Sequence, residues 1–319
     1  MLEKLFIKFI NIACKIFEVY RLEGRFDEAV LFFDSIKPIL DSKELRKEDK
    51  AKCLIKFAHI KADQKFFKDF NYNDEMTMLQ EAQNLAESSN SKDILANALD
   101  LFGNCIYRKG ILDGDFEEAL TYYNKALSIR TQIKDKLGLS KSYFHIGLYH
   151  ENKKDADEED YKTSFEYYQK GLKIALEEDF KLEQSYFYRH LAGHYQFLKN
   201  DLDKALEYHK KSAELREEIG FNFSLQFPYH AIGFVYFMKN DFENSLVYFK
   251  KAYSAALSVN RIEAFKTLIF RRGEVIVREN GLEAALNYYD LLLTAAKNLN
   301  DFEGIKEIEL KVKDLSKKE

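Results

Sequence analysis

The chain has 319 residues, 46% hydrophobic and 32% charged, with only two prolines; it is long enough for two globular domains or one extended array, and too apolar and aromatic to be disordered. Acidic residues number 53 against 49 basic ones, a formal charge of −4, so no broad positive field is available to neutralise phosphates and nucleic acid is excluded as a main partner. Cys14, Cys53 and Cys105 are odd in number, widely spaced and never arranged as CxxC, which argues against a disulfide framework and a structural zinc site and fits a reducing cytoplasm.

The first stretch, MLEKLFIKFINIACKIFEVY, is rich in Leu, Ile and Phe, but Lys4, Lys8, Lys15 and Glu18 interrupt every apolar run. It has neither a signal-peptide core nor a spanning length, so it reads as the first amphipathic helix of the fold, with no membrane insertion. Further on, GDFEEALTYYNKAL places Ala119, Tyr123, Ala126 and Leu127 at i, i+4, i+7 and i+8, one face of a helix, with Glu117, Glu118, Asn124 and Lys125 off it. The same phrase returns with changes, and aligning on Ala119 gives slots at Ala29, Glu75, Ala119, Ser164, Ala205, Ser245 and Ala285. The spacings are 46, 44, 45, 41, 40 and 40 residues, a period that marks a solenoid of about seven units.

Before each later phrase lies a second helical segment with a mid-helix glycine, at Gly103, Gly147, Gly193, Gly233 and Gly273. Each glycine costs about 1 kcal/mol relative to alanine, so close approach of a neighbouring helix is the expected gain. Short polar turns follow, as at Asn200-Asp201 and Asn240-Asp241, where Asn tolerates the left-handed conformation and Asp caps the next helix. The loops at 108–115 and 151–160 are expanded, and the five carboxylates in residues 155–160 read as a solvated loop, without the glycine turn and alternation of a calcium site. Residues 301–319 carry a weak stripe of Ile305, Ile308, Leu310, Val312 and Leu315, as expected of a helix covering the last open face.

A first helix with a small residue and a following aromatic, an Asn-Asp turn and a second helix with EALxYYxKAL together resemble the tetratricopeptide repeat family. The units are longer than the family's usual 34 residues and lack the closing proline, since Pro38 and Pro228 are the only two; in this they resemble the long repeats of bacterial peptide-sensing regulators and kinesin light chains. The resemblance implies an all-α fold, a right-handed α-solenoid of about seven antiparallel helix pairs over residues 1–300, with a C-terminal capping helix at 301–319.

The resemblance also places groove-facing side chains three and six residues before the small slot of the first helix and one, four and five after it. In the unit of Gly103 these are Asn97, Asp100, Asn104, Tyr107 and Arg108. The units of Gly193 and Gly233 offer Phe187, His190, His194, Phe197 and Leu198, then Phe227, His230, Phe234, Phe237 and Met238. Polar groups return in the units of Gly147 (Lys141, Phe144, Leu148, Glu151, Asn152) and Gly273 (Thr267, Phe270, Glu274, Val277, Arg278). A groove aromatic in its middle and hydrogen-bonding at its ends suits a protein or peptide segment with bulky apolar anchors; the competing expectation is that these aromatics are buried between helices. The family's clamp for EEVD-type tails is missing, because Leu148, Phe187 and Leu191 stand where polar or basic groups belong.

His190 and His194 are four apart on one helical face, with His230 at the slot matching His190. HLAGH lacks the glutamate of a zinc protease, so these read as groove lining with no metal, and the sequence calls for no cofactor. There is no GxGxxG, GxxxxGK[ST] or GxSxG, and no enzyme is expected. The expectation is a non-catalytic scaffold or adaptor. The alternative is a receptor for a short signalling peptide, similar to the Rap-type sensors; because repeats begin almost at Met1, its effector would be a separate chain. A third reading is an array detached from a larger regulator.

Overall fold

Helix follows helix throughout the computed structural model, which describes residues 2–317 apart from 67, 112 and 113. Residues 112 and 113 of the expanded loop at 108–115, and 318 and 319 of the terminal segment, thus lie outside the described residues. Among the described residues there are fifteen α-helices and one short 3-10 turn at Asn222–Ser224, with no strand. The helices are α1 Leu2–Glu23, α2 Phe26–Leu40, α3 Lys47–Lys65, α4 Asn73–Ser88, α5 Lys92–Gly110, α6 Glu117–Ile133, α7 Lys136–Asn152 and α8 Glu158–Glu177. They continue with α9 Lys181–Phe197, α10 Leu202–Glu218, α11 Gln226–Met238, α12 Phe242–Ser258, α13 Ile262–Asn280, α14 Leu282–Asn298 and α15 Phe302–Ser316.

By contacts the chain divides into two compact units, residues 1–190 and 191–319, with the division inside α9. In the first unit α3 packs on α4, α5 on α6 and α7 on α8, while α1, α3, α5 and α7 also touch in succession. In the second unit α11 packs on α12 and α13 on α14, with α15 against α14. Each unit is a stack of helix hairpins.

The repeat frame is visible in burial. All seven slots, Ala29, Glu75, Ala119, Ser164, Ala205, Ser245 and Ala285, are fully buried on the even-numbered helices. Four residues later comes a larger buried group: Phe33, Leu79, Tyr123, Tyr168, His209, Phe249 and Tyr289, one turn along on the same face. Glu75 fits the alanine slot because its carboxylate is neutralised in place, 2.9 Å from Lys65 Nζ and 3.6 Å from Lys61 Nζ.

The glycines work as the spacing predicts in four of five cases. A Cβ on Gly103 would lie 2.9 Å from Tyr123, on Gly147 2.5 Å from Tyr168, on Gly233 2.6 Å from Phe249 and on Gly273 2.0 Å from the Tyr289 hydroxyl. Each ring is the one four residues past the next slot. Gly193 departs from the rule, with nothing within 4 Å; its expected partner is His209, a smaller ring drawn towards Gln196 at 3.4 Å.

Turns follow from local chemistry. Asn200 and Asn240 take φ of 51° and 58°, and Asp201 and Asp241 accept hydrogen bonds from the backbone N–H of Lys204 (2.9 Å) and Asn244 (3.1 Å), capping α10 and α12. The carboxylates at 155–160 are not all loop. Asp157 and Asp160 form a capping box and Glu158–Asp160 make the first turn of α8, where negative charge meets the positive end of the helix. Asp160 lies 3.0 Å from His150 and 2.7 Å from Lys153. At the other end α15 buries Ile308 and Leu315 but leaves Leu310 exposed, so Leu310 is not part of the covering stripe.

Gly147→Ala is expected to destabilise the protein by about 2 kcal/mol, because Tyr168 is held by a hydrogen bond to Glu151 and cannot swing away from the new methyl. Gly193→Ala, with open space around it, is expected to be neutral or to stabilise by up to about 1 kcal/mol through helix propensity. Urea unfolding of the two variants beside the parent checks both.

Candidate binding surface

In the first unit the odd-numbered helices meet through charges as well as hydrocarbon, such as Phe17 of α1 against Phe57 of α3. Asp63 on α3 stands between two guanidiniums, 2.9 Å from Arg21 of α1 and 2.7 Å from Arg108 of α5. Burial would raise its pKa, but the Arg108 charge, with His59 and Arg21, outweighs burial and holds the carboxyl below the usual range. Glu18 of α1 bonds Arg21 at 3.0 Å and Lys56 at 2.8 Å. Its carboxyl too is held low, against burial, by these cations.

One hairpin further on, Asp100 of α5 receives Arg130 of α6 at 3.2 Å and lies 2.9 Å from His145 of α7. Arg130 has no exposed surface, and its remaining hydrogen bonds go to Asn97 (2.9 Å) and Ser142 (2.8 Å). His145 also contacts Asn104 at 3.0 Å. Burial opposes ionisation of Asp100, yet Arg130 and His145 keep its pKa low. Beyond it, Glu151 of α7 accepts from the Tyr168 hydroxyl and lies 2.8 Å from His190 of α9.

This wall is enclosed yet reachable by solvent. The His59 side chain is 33% exposed, but burial, reinforced by Arg21, depresses its pKa to about 3. Lys141 has 41% of its side chain exposed, 3.8 Å from Glu183, and burial still lowers its pKa. Both side chains thus meet protein on one side and water on the other.

The residues expected from sequence fall into distinct situations. Asn97, Asp100, Asn104, Tyr107 and Arg108 come together on α5; Asn97 is exposed, Arg108 part-buried, and Asp100, Asn104 and Tyr107 are buried. Phe144 is half-buried, its ring within 6 Å of Tyr168, Tyr186, Phe187 and His190. Phe187 is fully buried against Gly171, and His190 is held by Glu151.

In the second unit, Phe227, Phe234, His230 and His194 are buried. His230 Nε2 lies 2.7 Å from the Tyr288 hydroxyl, and Phe234 belongs to a core with Phe249, Tyr253 and Tyr288. Phe237 stacks on Phe234, while Arg278 is open to solvent beside Glu279. Phe197 is 47% exposed, with the Arg272 guanidinium 4.9 Å from its ring. Most of the expected aromatic lining is thus spent on the chain's own packing, for rings of this size gain more from mutual burial than the hairpins would leave exposed. Among the described residues no cluster of three or more His, Cys, Asp or Glu is arranged to hold a metal ion.

Asp63, Arg130 and His145, which tie these helices together, lie outside the set expected from sequence. Arg130 had a signal: eleven residues past each slot the copies carry Leu40, Ala86, Arg130, Ala175, Arg216, Ala256 and Ala296, all buried, and an arginine at a buried slot requires a counter-charge.

Asp63→Ala leaves Arg21 and Arg108 under-compensated and is expected to cost about 3 kcal/mol, read as a lower urea midpoint at neutral pH. His59 makes a separate, signed prediction. Below about 6.5 the unfolded chain binds a proton that folded His59 refuses until about 3, so stability falls as pH drops through that window. His59→Gln should lose less stability than the parent between pH 7 and pH 5, measured by denaturation at both values.

Residues 111–132, which begin just past α5 and run to the penultimate residue of α6, match the family model described as Tetratricopeptide repeat. No curated protein is significantly similar to the chain. Among solved structures, a Rap protein complexed with Competence and Sporulation Factor superposes with a TM-score of 0.54 over 98% of each chain, at 12% identity. The apo quorum sensor NprR from B. thuringiensis gives 0.51 over 96% of this chain and 87% of its own, at 14% identity. BtubC (BKLC) from P. vanneervenii gives 0.51 over 75% of this chain and 92% of its own, at 17% identity. At these identities the likeness concerns the fold, and it agrees with the repeat frame, the glycine contacts and the matched copy: the chain is built on the tetratricopeptide-repeat fold.

Proposed function

We propose that the chain is a non-catalytic scaffold that binds an extended protein or peptide segment, with the inner helices of the first unit as the receiving wall. We read the array as running over residues 1–300, with α15 as its cap. The observation that carries the binding role is a pair of unpartnered buried polar atoms on α5, Asn104 Oδ1 and Arg108 Nη1. One is an acceptor and the other a donor, on side chains one helical turn apart. An extended peptide presents outward N–H and C=O groups every two residues, so a single strand offers both kinds of partner that these atoms lack. A buried group left unpaired costs on the order of 1–3 kcal/mol, and a backbone partner would return that cost as affinity. The near balance of charge along the wall favours a ligand bound through its main chain over a highly charged one.

A second reading, a receptor for a short signalling peptide acting on a separate effector chain, is supported by the nearly full-length likeness to the Rap protein complexed with Competence and Sporulation Factor and to the quorum sensor NprR.

Selection of a random linear peptide library on the full chain tests both. Enriched peptides are expected to bind the parent and to lose at least tenfold in affinity to Asn104→Leu or Arg108→Met variants whose circular dichroism is unchanged, and to be recovered at unaltered mass. No enrichment, or equal binding by the variants, overturns the assignment. Under the receptor reading a short peptide also raises the melting temperature and changes the solution scattering envelope; under the scaffold reading the envelope stays as it is.

A further inference from the structure

Two of the three cysteines, 39 positions apart in sequence, meet across a helix interface. Cys14 lies on α1 and Cys53 on α3, which pack directly together; the contacts Glu18–Lys56 (2.8 Å) and Arg21–Asp63 (2.9 Å) fix the register of the two helices and set Cys14 beside Cys53, close enough for the thiols to interact. Both are free. Cys14 is partly exposed, whereas Cys53 has no exposed surface. The charged groups around them are Lys52 and Lys56 of α3, with Asp49 3.9 Å from Lys52 and Glu18 of α1 2.8 Å from Lys56.

We propose that Cys14 and Cys53 form a reversible thiol–disulfide site, with Cys14 the reacting sulfur, Cys53 the resolving sulfur and a hydroperoxide the oxidant. The Cys14 thiolate attacks one peroxide oxygen; the O–O bond breaks, hydroxide leaves and takes a proton, and Cys14 becomes a sulfenic acid. Cys53 then gives up its proton and attacks the Cys14 sulfur; the S–S bond forms, the S–O bond breaks and the second oxygen leaves as water. Two thiols and one hydrogen peroxide yield one disulfide and two waters, the two electrons passing from sulfur to the peroxide.

The surroundings assign the roles. The interaction with Cys53 and the charges of Lys56 and Lys52 favour the Cys14 thiolate against burial and Asp49. The same interaction, with burial, pushes Cys53 strongly up, so it reacts only once Cys14 has become an electrophile. Closing the bond to about 2.05 Å asks for side-chain rotation within the existing contact of α1 and α3. Cys105 on α5 is fully buried and pushed up to about 12 by burial, and serves as an internal control.

The reduced full chain is treated with a slight excess of hydrogen peroxide at low micromolar concentration, then alkylated, digested and mapped by mass spectrometry. The expected result is a monomer 2 Da lighter, a linked Cys14–Cys53 peptide, one remaining alkylated thiol at Cys105, return of all three on adding dithiothreitol, and a melting temperature several degrees above the reduced form, because the bond closes a loop of about forty residues. In Cys53→Ser, Cys14 is expected to be trapped by a sulfenic-acid probe. Three alkylatable thiols after oxidation, a Cys14 modified without the cross-link in the parent, or a cross-link found only between chains overturns the proposal.

Discussion

Everything else in this structure depends on how closely two helices approach within a hairpin. A ring on the second helix of a pair lies against a glycine on the first, as Tyr168 does on Gly147 and Phe249 on Gly233. The alanine-like slot one turn earlier has no room for anything larger unless it is neutralised, as Glu75 is. Ring on one side and missing side chain on the other bring backbones together at the distance where dispersion is strong. The helix propensity lost at each glycine is small beside the burial of a tyrosine or phenylalanine.

Close packing of the hairpins has a consequence on their inner side. Helices α1, α3 and α5 approach so nearly that their polar side chains are drawn out of bulk water and must satisfy one another. Hence Asp63 serves two arginines, and Arg130 reaches from α6 to Asp100. Charged groups in such a setting are costly to orphan and easily specified. Two polar atoms among them, Asn104 Oδ1 and Arg108 Nη1, are left without a hydrogen-bond partner. The same proximity sets Cys14 against Cys53 on the side of α1 that meets α3.

The two halves of the expected groove met different fates for one physical reason. Polar residues chosen on α5 remain together on that helix, although most are already engaged. Aromatic residues chosen on α9 and α11 are mostly consumed by burial: Phe187 against Gly171, and His230 and Phe234 against Tyr288. Position in a repeat says which way a side chain leaves its helix. It does not say how far the neighbouring helix has advanced to cover it.

By itself the sequence determined the helical period, the seven buried slots, the glycine contacts at four positions and the Asn-Asp turns, because each rests on contacts within one hairpin or on local backbone chemistry. Tertiary structure alone decided which carboxylate pairs with which arginine, that Gly193 has space around it, that Phe234 is core while Phe197 is open, and that two distant cysteines are neighbours. Those outcomes depend on distances between side chains from different hairpins, set by the sum of many small packing adjustments, and a one-dimensional pattern carries the direction of a side chain but not what stands in front of it.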